Sequence, residues 1–405
     1  MDKTFKIKNK IIENNLTENL NCIIVHPEIN FHLSSSEKVL KKVNEICNLA
    51  KSINLKIKGI KTIKIRKIIP SYLFGKGQVE NIKVLLNRKF SKILIINSEV
   101  SPIQQRNLEK KLNCKVLDRT ALIIEIFGKR AKTKEGKIQV ELAALLYQKT
   151  RLVRSWTHLE RQRGGAGFMG GPGEKQIESD KRQIDKKIIK LKKELKKIEL
   201  NRNVQRKQRI KSSIPIISLI GYTNAGKSTL FNYLAKENVF VKNQLFATLD
   251  TTMRKVSLFN KLYFILSDTI GFISNLPTQL IVSFQTTLEE INFSDYILHV
   301  VDISNSDWEN QREIVINTLK NILKENYNEK KIIEVWNKSD LLNEENNNYY
   351  KNIISRKKNA VLVSSKKCTG KNELLKIILK KIINIKKKSP NFTSPAHSKK
   401  IKALL

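Results

Sequence analysis

Apolar residues recur along this chain in two rhythms, short unbroken runs and three-to-four-residue spacings, and their alternation sets most of the expected elements. Cys22, Ile23, Ile24 and Val25 read as a short strand. Ser34 and Glu37 have capping-box spacing, and Val39, Leu40, Val43, Ile46 and Ala50 mark one face of the adjoining helix. An alternating stretch through Leu55, Ile57, Ile63 and Ile65 ends at Pro70, and Gly75, Lys76 and Gly77 predict a turn. Beyond it, Val79, Ile82, Leu85 and Leu86 lie at helical spacing, 92–96 reads as a buried strand, Pro102 starts a helix and 115–117 is a further strand. Strands alternating with helices predict a small parallel α/β domain over 1–135.

The middle of the chain has a different rhythm. Residues 138–153 read as helix, and 163–174 hold so many glycines that a loop is expected. From 174 to 211 a long charged helix is predicted, with Ile184, Ile188, Leu191, Leu195 and Ile198 spaced 4, 3, 4, 3, a narrow seam suited to one neighbouring helix. The simplest arrangement over 136–212 is a long antiparallel helical hairpin with the glycine loop at its tip. Residues 213–386 then read as a second α/β domain with a mostly parallel sheet. It has strands at 215–220, 296–301, 331–336 and 360–364 and a hairpin over 256–267 turning at Asn260 and Lys261. The tail, 387–405, is rich in Lys, Ser and Pro and is expected to be disordered.

Composition changes this picture only at the edges. A chain of 405 residues with 40% hydrophobic and 28% charged residues suits two or three globular domains. No apolar run approaches the ~18 residues that cross a bilayer, and the charged start lacks the apolar stretch of a signal peptide, so a cytoplasmic monomer without a membrane span is expected. Cys22, Cys47, Cys114 and Cys368 are scattered and read as free thiols. The net charge of +40 points to a polyanionic partner, nucleic acid above all. Lys, Asn and Ile are nevertheless abundant everywhere, and a coding bias would give much of the same charge. The local distribution is more telling: residues 174–211 hold fifteen Lys or Arg against six Asp or Glu.

The chemistry sits in the second α/β domain. Gly221, Tyr222, Thr223, Asn224, Ala225, Gly226, Lys227 and Ser228 fit G-x-x-x-x-G-K-S between a strand and a helix. Such a loop turns backbone amides and a helix N-terminus on the phosphates of a nucleotide, Lys227 reaches the β and γ oxygens, and Ser228 offers a hydroxyl to Mg²⁺. Asp268, Thr269, Ile270 and Gly271 end a strand where a carboxylate can hold Mg²⁺ through water and the Gly271 amide can sense a γ-phosphate. Asn337, Lys338, Ser339 and Asp340 follow another strand, and the Asp340 carboxylate can accept from both N1 and N2 of guanine, a donor pair that adenine lacks. Ser364, Ser365 and Lys366 fit a loop that covers the guanine carbonyl with amides. Four motifs in this order predict a GTP- and GDP-binding P-loop domain with Mg²⁺ as cofactor.

Between the first two motifs lie Phe246, Ala247, Thr248, Leu249 and Asp250, followed by Thr251 and Thr252. A threonine here completes the Mg²⁺ shell and closes a switch loop on the γ-phosphate. Thr248 is the expected ligand beside Ser228, with Thr251 and Thr252 as alternatives. After Gly271 comes Phe272 where many small GTPases carry a glutamine that orients water. Slow intrinsic hydrolysis is therefore expected, and no catalytic side chain can be named.

These residues resemble the HflX family of translation-associated GTPases over roughly residues 73–375. The similarity runs through Phe74 to Gly77, Ser101 to Glu109, Asp118 to Thr120, Gln139 to Ala143, Leu159 to Arg161, Gly171 to Glu174, Gly221 to Ser228, Phe246 to Asp250, Ser267 to Ile273 and Thr287 to Glu290. The resemblance implies a GTPase that binds the 50S ribosomal subunit and its rRNA and splits or rescues stalled 70S ribosomes. It also makes 163–174 an RNA-contacting tip, where the residues alone allow a plain connection between helices. A GTP-gated RNA-binding assembly factor, with hydrolysis secondary, is the alternative. Ile270 stands where the family's valine is usual, Ser365 stands where alanine is commoner, and Gly75, Lys76 and Gly77 are too short a motif to serve as an N-terminal ATP loop.

Overall fold

The computed structural model describes residues 21–29, 36–162, 172–211, 214–235, 246, 249, 252–258 and 262–387. They divide into two compact units: Met1–Ile198 with Pro277–Ser283, and Glu199–Leu276 with Phe284–Leu405. The class is α/β throughout, with a wholly parallel sheet in the first unit and a mostly parallel one in the second.

In the first unit the strands are β1 (Asn21–Ile29), β2 (Lys56–Ile65), β3 (Ile93–Ile96) and β4 (Lys115–Asp118), in the order β2-β1-β3-β4. Helices α1 (Ser36–Ser52), α2 (Lys76–Arg88), α3 (Pro102–Leu112) and α4 (Arg119–Arg130) connect or follow them. Val79, Ile82 and Leu86 of α2 and Leu108 and Leu112 of α3 bury one sheet face, built from Ile23, Val25, Leu94, Ile96 and Val116. The α3 start is a capping box as its sequence demands: Gln104 N donates to Ser101 Oγ at 3.2 Å, and Ser101 N to Gln104 Oε1 at 3.0 Å.

Asp118, at the C-terminal end of β4, organises the next two helices. Its Oδ1 accepts from Ala121 N at 2.7 Å, capping α4, and from the Tyr147 hydroxyl at 2.8 Å, while Oδ2 pairs with Arg151 at 2.6 Å. Tyr147 and Arg151 both lie on α5 (Lys134–Gln162), so one buried carboxylate fixes that helix to the sheet. Helix α6 (Pro172–Lys211) then meets α5 along the expected seam, where Ile188, Leu191 and Leu195 pack on Ile138, Leu142 and Leu145. Lys149 pairs with Asp185 at 2.6 Å, in antiparallel sense. The short helix α8 (Thr278–Ser283) also packs on α5, although it comes much later in the chain.

The second unit's sheet runs β10-β9-β8-β5-β7-β6, with β6 (Thr252–Ser257) antiparallel to β7 (Tyr263–Asp268) and the others parallel. β5 (Ile216–Gly221), β8 (Tyr296–Asp302) and β9 (Ile332–Asn337) are almost wholly buried. They read as near-continuous apolar runs because helices cover both faces. Helix α7 (Lys227–Ala235) packs Leu230, Phe231 and Leu234 on one face together with Leu374, Ile378 and Leu379 of the helix Lys371–Lys387. β10 (Ala360–Leu362) closes one edge. Arg206 of α6 pairs with buried Glu290 at 2.9 Å, and its guanidinium lies 3.5 Å over the Phe293 ring.

Several expectations need correcting. Lys76 and Gly77 are not in a turn: only Gly75 precedes α2, and Gln78 reaches back to accept from Gly75 N at 2.9 Å. Two glycines in three residues suggested a turn, but a side-chain cap rescues the helix start. The loop expected to reach Glu174 gives way to helix at Pro172, which suits a first helical position. Residues 163–171, Ser34, Asn260, Lys261 and 388–405 lie outside the described residues. Helix α4, α8, α9 (Gln285–Glu289) and the 3-10 turn Glu290–Phe293 went unread, because none has a long amphipathic period.

His299 lies in the middle of β8, fully buried, with neither ring nitrogen hydrogen-bonded among the described residues. Burial pushes its pKa down to about 4 against 6.5 for a free imidazole. Between those values the unfolded chain holds the proton that the folded one refuses, so stability is complete above pH 6.5 and falls towards pH 4. The expected loss is about 3 kcal/mol. Guanidinium unfolding of the second unit, followed by the fluorescence of Trp308 and Trp336, should show this fall, and His299→Leu should flatten it.

Candidate functional site

The strand–loop–helix at β5 and α7 forms because a buried apolar strand runs directly into residues able to take left-handed backbone. Asn224 has φ 64° and Gly226 φ 92°. At Gly226 only glycine fits: a Cβ would lie 2.3 Å from Asn337 Nδ2, besides the positive φ. Asn337 stands at the end of β9, and its Nδ2 donates to Ala225 O at 2.9 Å. Its Oδ1 accepts from Ser365 N at 3.1 Å and Ser365 Oγ at 2.9 Å. One side-chain amide thus joins the glycine loop, the β9 motif and the 364–366 loop.

Lys227 is buried at the start of α7 and donates to Gly221 O at 3.1 Å and Tyr222 O at 2.9 Å. Burial pushes its pKa down to about 8, and nearby Asp268 only partly opposes this. A desolvated ammonium held by neutral carbonyls is a strong attractor for an anion. Ser228 Oγ donates to Asp268 Oδ2 at 2.8 Å, which sets two hard oxygens side by side beside that ammonium. This donor set fits Mg²⁺, which takes few protein oxygens and relies on phosphate and water for the rest.

The Asp268-to-Gly271 segment is tied closely to the glycine loop. Thr269 Oγ1 donates to Leu219 O at 2.5 Å, Phe272 N to Gly221 O at 3.1 Å, and Thr223 N to Phe272 O at 2.7 Å. Gly271 is close enough that an added Cβ would meet Lys227 Nζ at 3.0 Å. Ile270 is buried. So is the Phe272 ring, which spends its position on packing while its backbone completes the junction.

On the far side, Ser364 Oγ donates to Asp340 Oδ1 at 2.5 Å and accepts from Lys367 N at 3.0 Å, which orients the carboxylate. Ser339 is half-buried and Lys366 exposed. Lys338 takes left-handed backbone, φ 65°, and pairs with Asp302 Oδ2 at 2.6 Å. Sequence reading missed Asp302; its only signal was a carboxylate ending an apolar run. Ser365, a departure from the family's alanine, is accommodated because Asn337 absorbs its hydroxyl. Phe246 and Leu249 are buried. Ala247, Thr248, Asp250 and Thr251 lie outside the described residues, and Thr252 opens β6 opposite Asp268.

A phosphate cradle at a strand–helix junction, with a carboxylate held ready at the end of a neighbouring strand, defines a P-loop nucleotide-binding protein. Comparisons with known proteins sharpen that class. Residues 40–128 match the model of the GTP-binding GTPase N-terminal region, 130–209 that of the GTP-binding GTPase middle region, and 216–338 that of the 50S ribosome-binding GTPase. GTPase HflX of Magnetococcus marinus is 48% identical over 300 residues, covering 74% of this chain and 69% of the relative. GTPase HflX of Escherichia coli is 39% identical over 308 residues, covering 76% and 71%. The crystal structure of SsGBP with GDP aligns with 90% of this chain and 99% of that one at 25% identity and TM-score 0.50. The chain belongs to the HflX family of GTPases.

If an anionic phosphate sits on Lys227, the ammonium becomes fully charged, so binding near pH 8 draws in about half a proton. Calorimetry of GDP binding in buffers of different ionisation enthalpy should detect that uptake at pH 8. The contribution should vanish at pH 6.5, where the free ammonium is already charged, and affinity should weaken above pH 8.

Proposed function

We propose that residues 213–386 act as a GTP-driven switch whose state controls engagement of the 50S subunit by the hairpin at 136–212. The observation that carries this reading is the Asn337 junction. It holds the Ala225 carbonyl and the Ser365 amide on one side chain, so phosphate and base recognition form a single rigid body. In this reading the amides of Gly221 to Ser228, including Tyr222, Thr223, Asn224 and Ala225, cradle the phosphates while Lys227 neutralises them. Asp340 reads guanine N1 and N2, Ser339 and the 364–366 loop complete the base pocket, and Asn337 and Lys338 brace it. Ser228 and Thr248 would hold Mg²⁺, with Asp268 behind. Bound there, the ion would neutralise charge developing on the phosphates.

Hydrolysis by the free protein is slow in this reading, since the buried Phe272 ring offers nothing to orient a water. The ribosome, or a segment ordered by it, supplies that group. Splitting of 70S ribosomes is supported by membership of the HflX family and by the match to the 50S ribosome-binding GTPase model. The basic hairpin helix is the surface expected to engage rRNA.

Sedimentation of 70S ribosomes with the protein and GTP, a non-hydrolysable analogue or GDP tests the function. Subunits should separate with the first two and not with GDP, and isolated 50S subunits should accelerate turnover. Full GTP-dependent binding with unchanged turnover and intact 70S would favour the assembly-factor reading instead. Base recognition has its own test. Asp340→Asn replaces one acceptor by a donor, so GTP affinity should fall by at least ~100-fold. Xanthosine triphosphate, with a carbonyl where guanine has its amino group, should become the better ligand.

A further inference from the structure

The first unit presents a second basic surface, on a different element from the hairpin. Among the described residues strand β2 is the edge of its sheet, with one row of its backbone groups facing no strand partner. Residues 56–67 carry six Lys or Arg and no acid, against 77 Lys or Arg in 405 residues overall. A coding bias spread evenly does not concentrate charge in that way. Four of the six lie on one face, where Lys56, Lys58, Ile60, Thr62, Lys64 and Arg66 alternate as exposed positions, while Ile63 and Ile65 are buried against α2 and Lys61 is half-buried on their side. Among the described residues, Lys56, Lys58, Arg66 and Lys67 have no carboxylate within salt-bridge distance. Their charge is left for a partner.

We propose that this edge of β2 is a track for the phosphate backbone of ribosomal RNA. Side chains two residues apart on a strand repeat every ~6.6 Å, a pitch that long lysine stems can match to successive phosphates. Ile60 and Thr62 stand between the cations, an apolar contact for a sugar face and a hydroxyl for a 2′-OH. The inference rests on the ribosomal reading of the hairpin and adds a second point of attachment to it. Its rival is edge protection, since charged residues on an open strand also keep copies of the chain from pairing.

Charge reversal separates the two, because glutamates protect an edge as well as lysines do and repel phosphate. The triple variant Lys56→Glu, Lys58→Glu, Arg66→Glu should stay monomeric, bind GDP normally, and bind 50S subunits and their extracted RNA at least tenfold more weakly. The matching glutamine triple should lower the slope of log affinity against log salt by about three. Unchanged binding of 50S subunits and RNA by the glutamate variant would overturn the proposal, as would a loss seen only on anionic phospholipid vesicles. A hairpin control, Lys186→Gln, Lys190→Gln, Lys193→Gln, keeps the two readings apart. If the unaltered protein binds 50S subunits and only the hairpin control weakens it, the β2 track alone fails. If the unaltered protein does not bind 50S subunits with any nucleotide, the ribosomal reading itself fails.

Discussion

The second unit depends on one side-chain amide. Asn337 spends both ends of its amide on backbone and hydroxyl partners from two loops far apart in sequence. Its demand for space also dictates the neighbour, since Gly226 must lack a Cβ where Nδ2 approaches. Loops are the mobile parts of most folds. Three of them are here made into a single object by bonds that are buried and therefore expensive to break. That rigidity suits a site that would meet a nucleotide at both of its ends.

Around that junction the charges are arranged to be incomplete. Lys227 is buried with carbonyl partners, and burial lowers its pKa further than the nearby Asp268 carboxylate can raise it. Asp340 is steadied by Ser364, and Lys338 is turned aside to Asp302. Asp118 in the first unit is the opposite case, a buried carboxylate fully met by an amide, a phenol and a guanidinium. The contrast distinguishes a structural charge from one that waits for a ligand.

Much of this was legible from residues alone. The buried strands announced themselves as apolar runs, and the α5–α6 seam as a 4, 3 spacing, because a period records which face is buried. The glycine motif was legible because only glycine and asparagine readily take the backbone it needs. What escaped were contacts between sequence-distant residues: Lys338 with Asp302, Arg206 with Glu290, and the Asn337 bridge itself. No pattern in one chain encodes them. The start of α2 escaped for another reason, since Gln78 overrode the local preference of two glycines.

Phe272 has a consequence for substitutions borrowed from other GTPases. Its backbone is paired on both sides to the glycine loop, and its ring is buried. A glutamine placed there would inherit the same direction and take its amide out of solvent. Borrowing a glutamine by analogy would thus carry the cost of burying a polar group. The position is closed by the backbone pairing and burial around it rather than by the choice of residue alone.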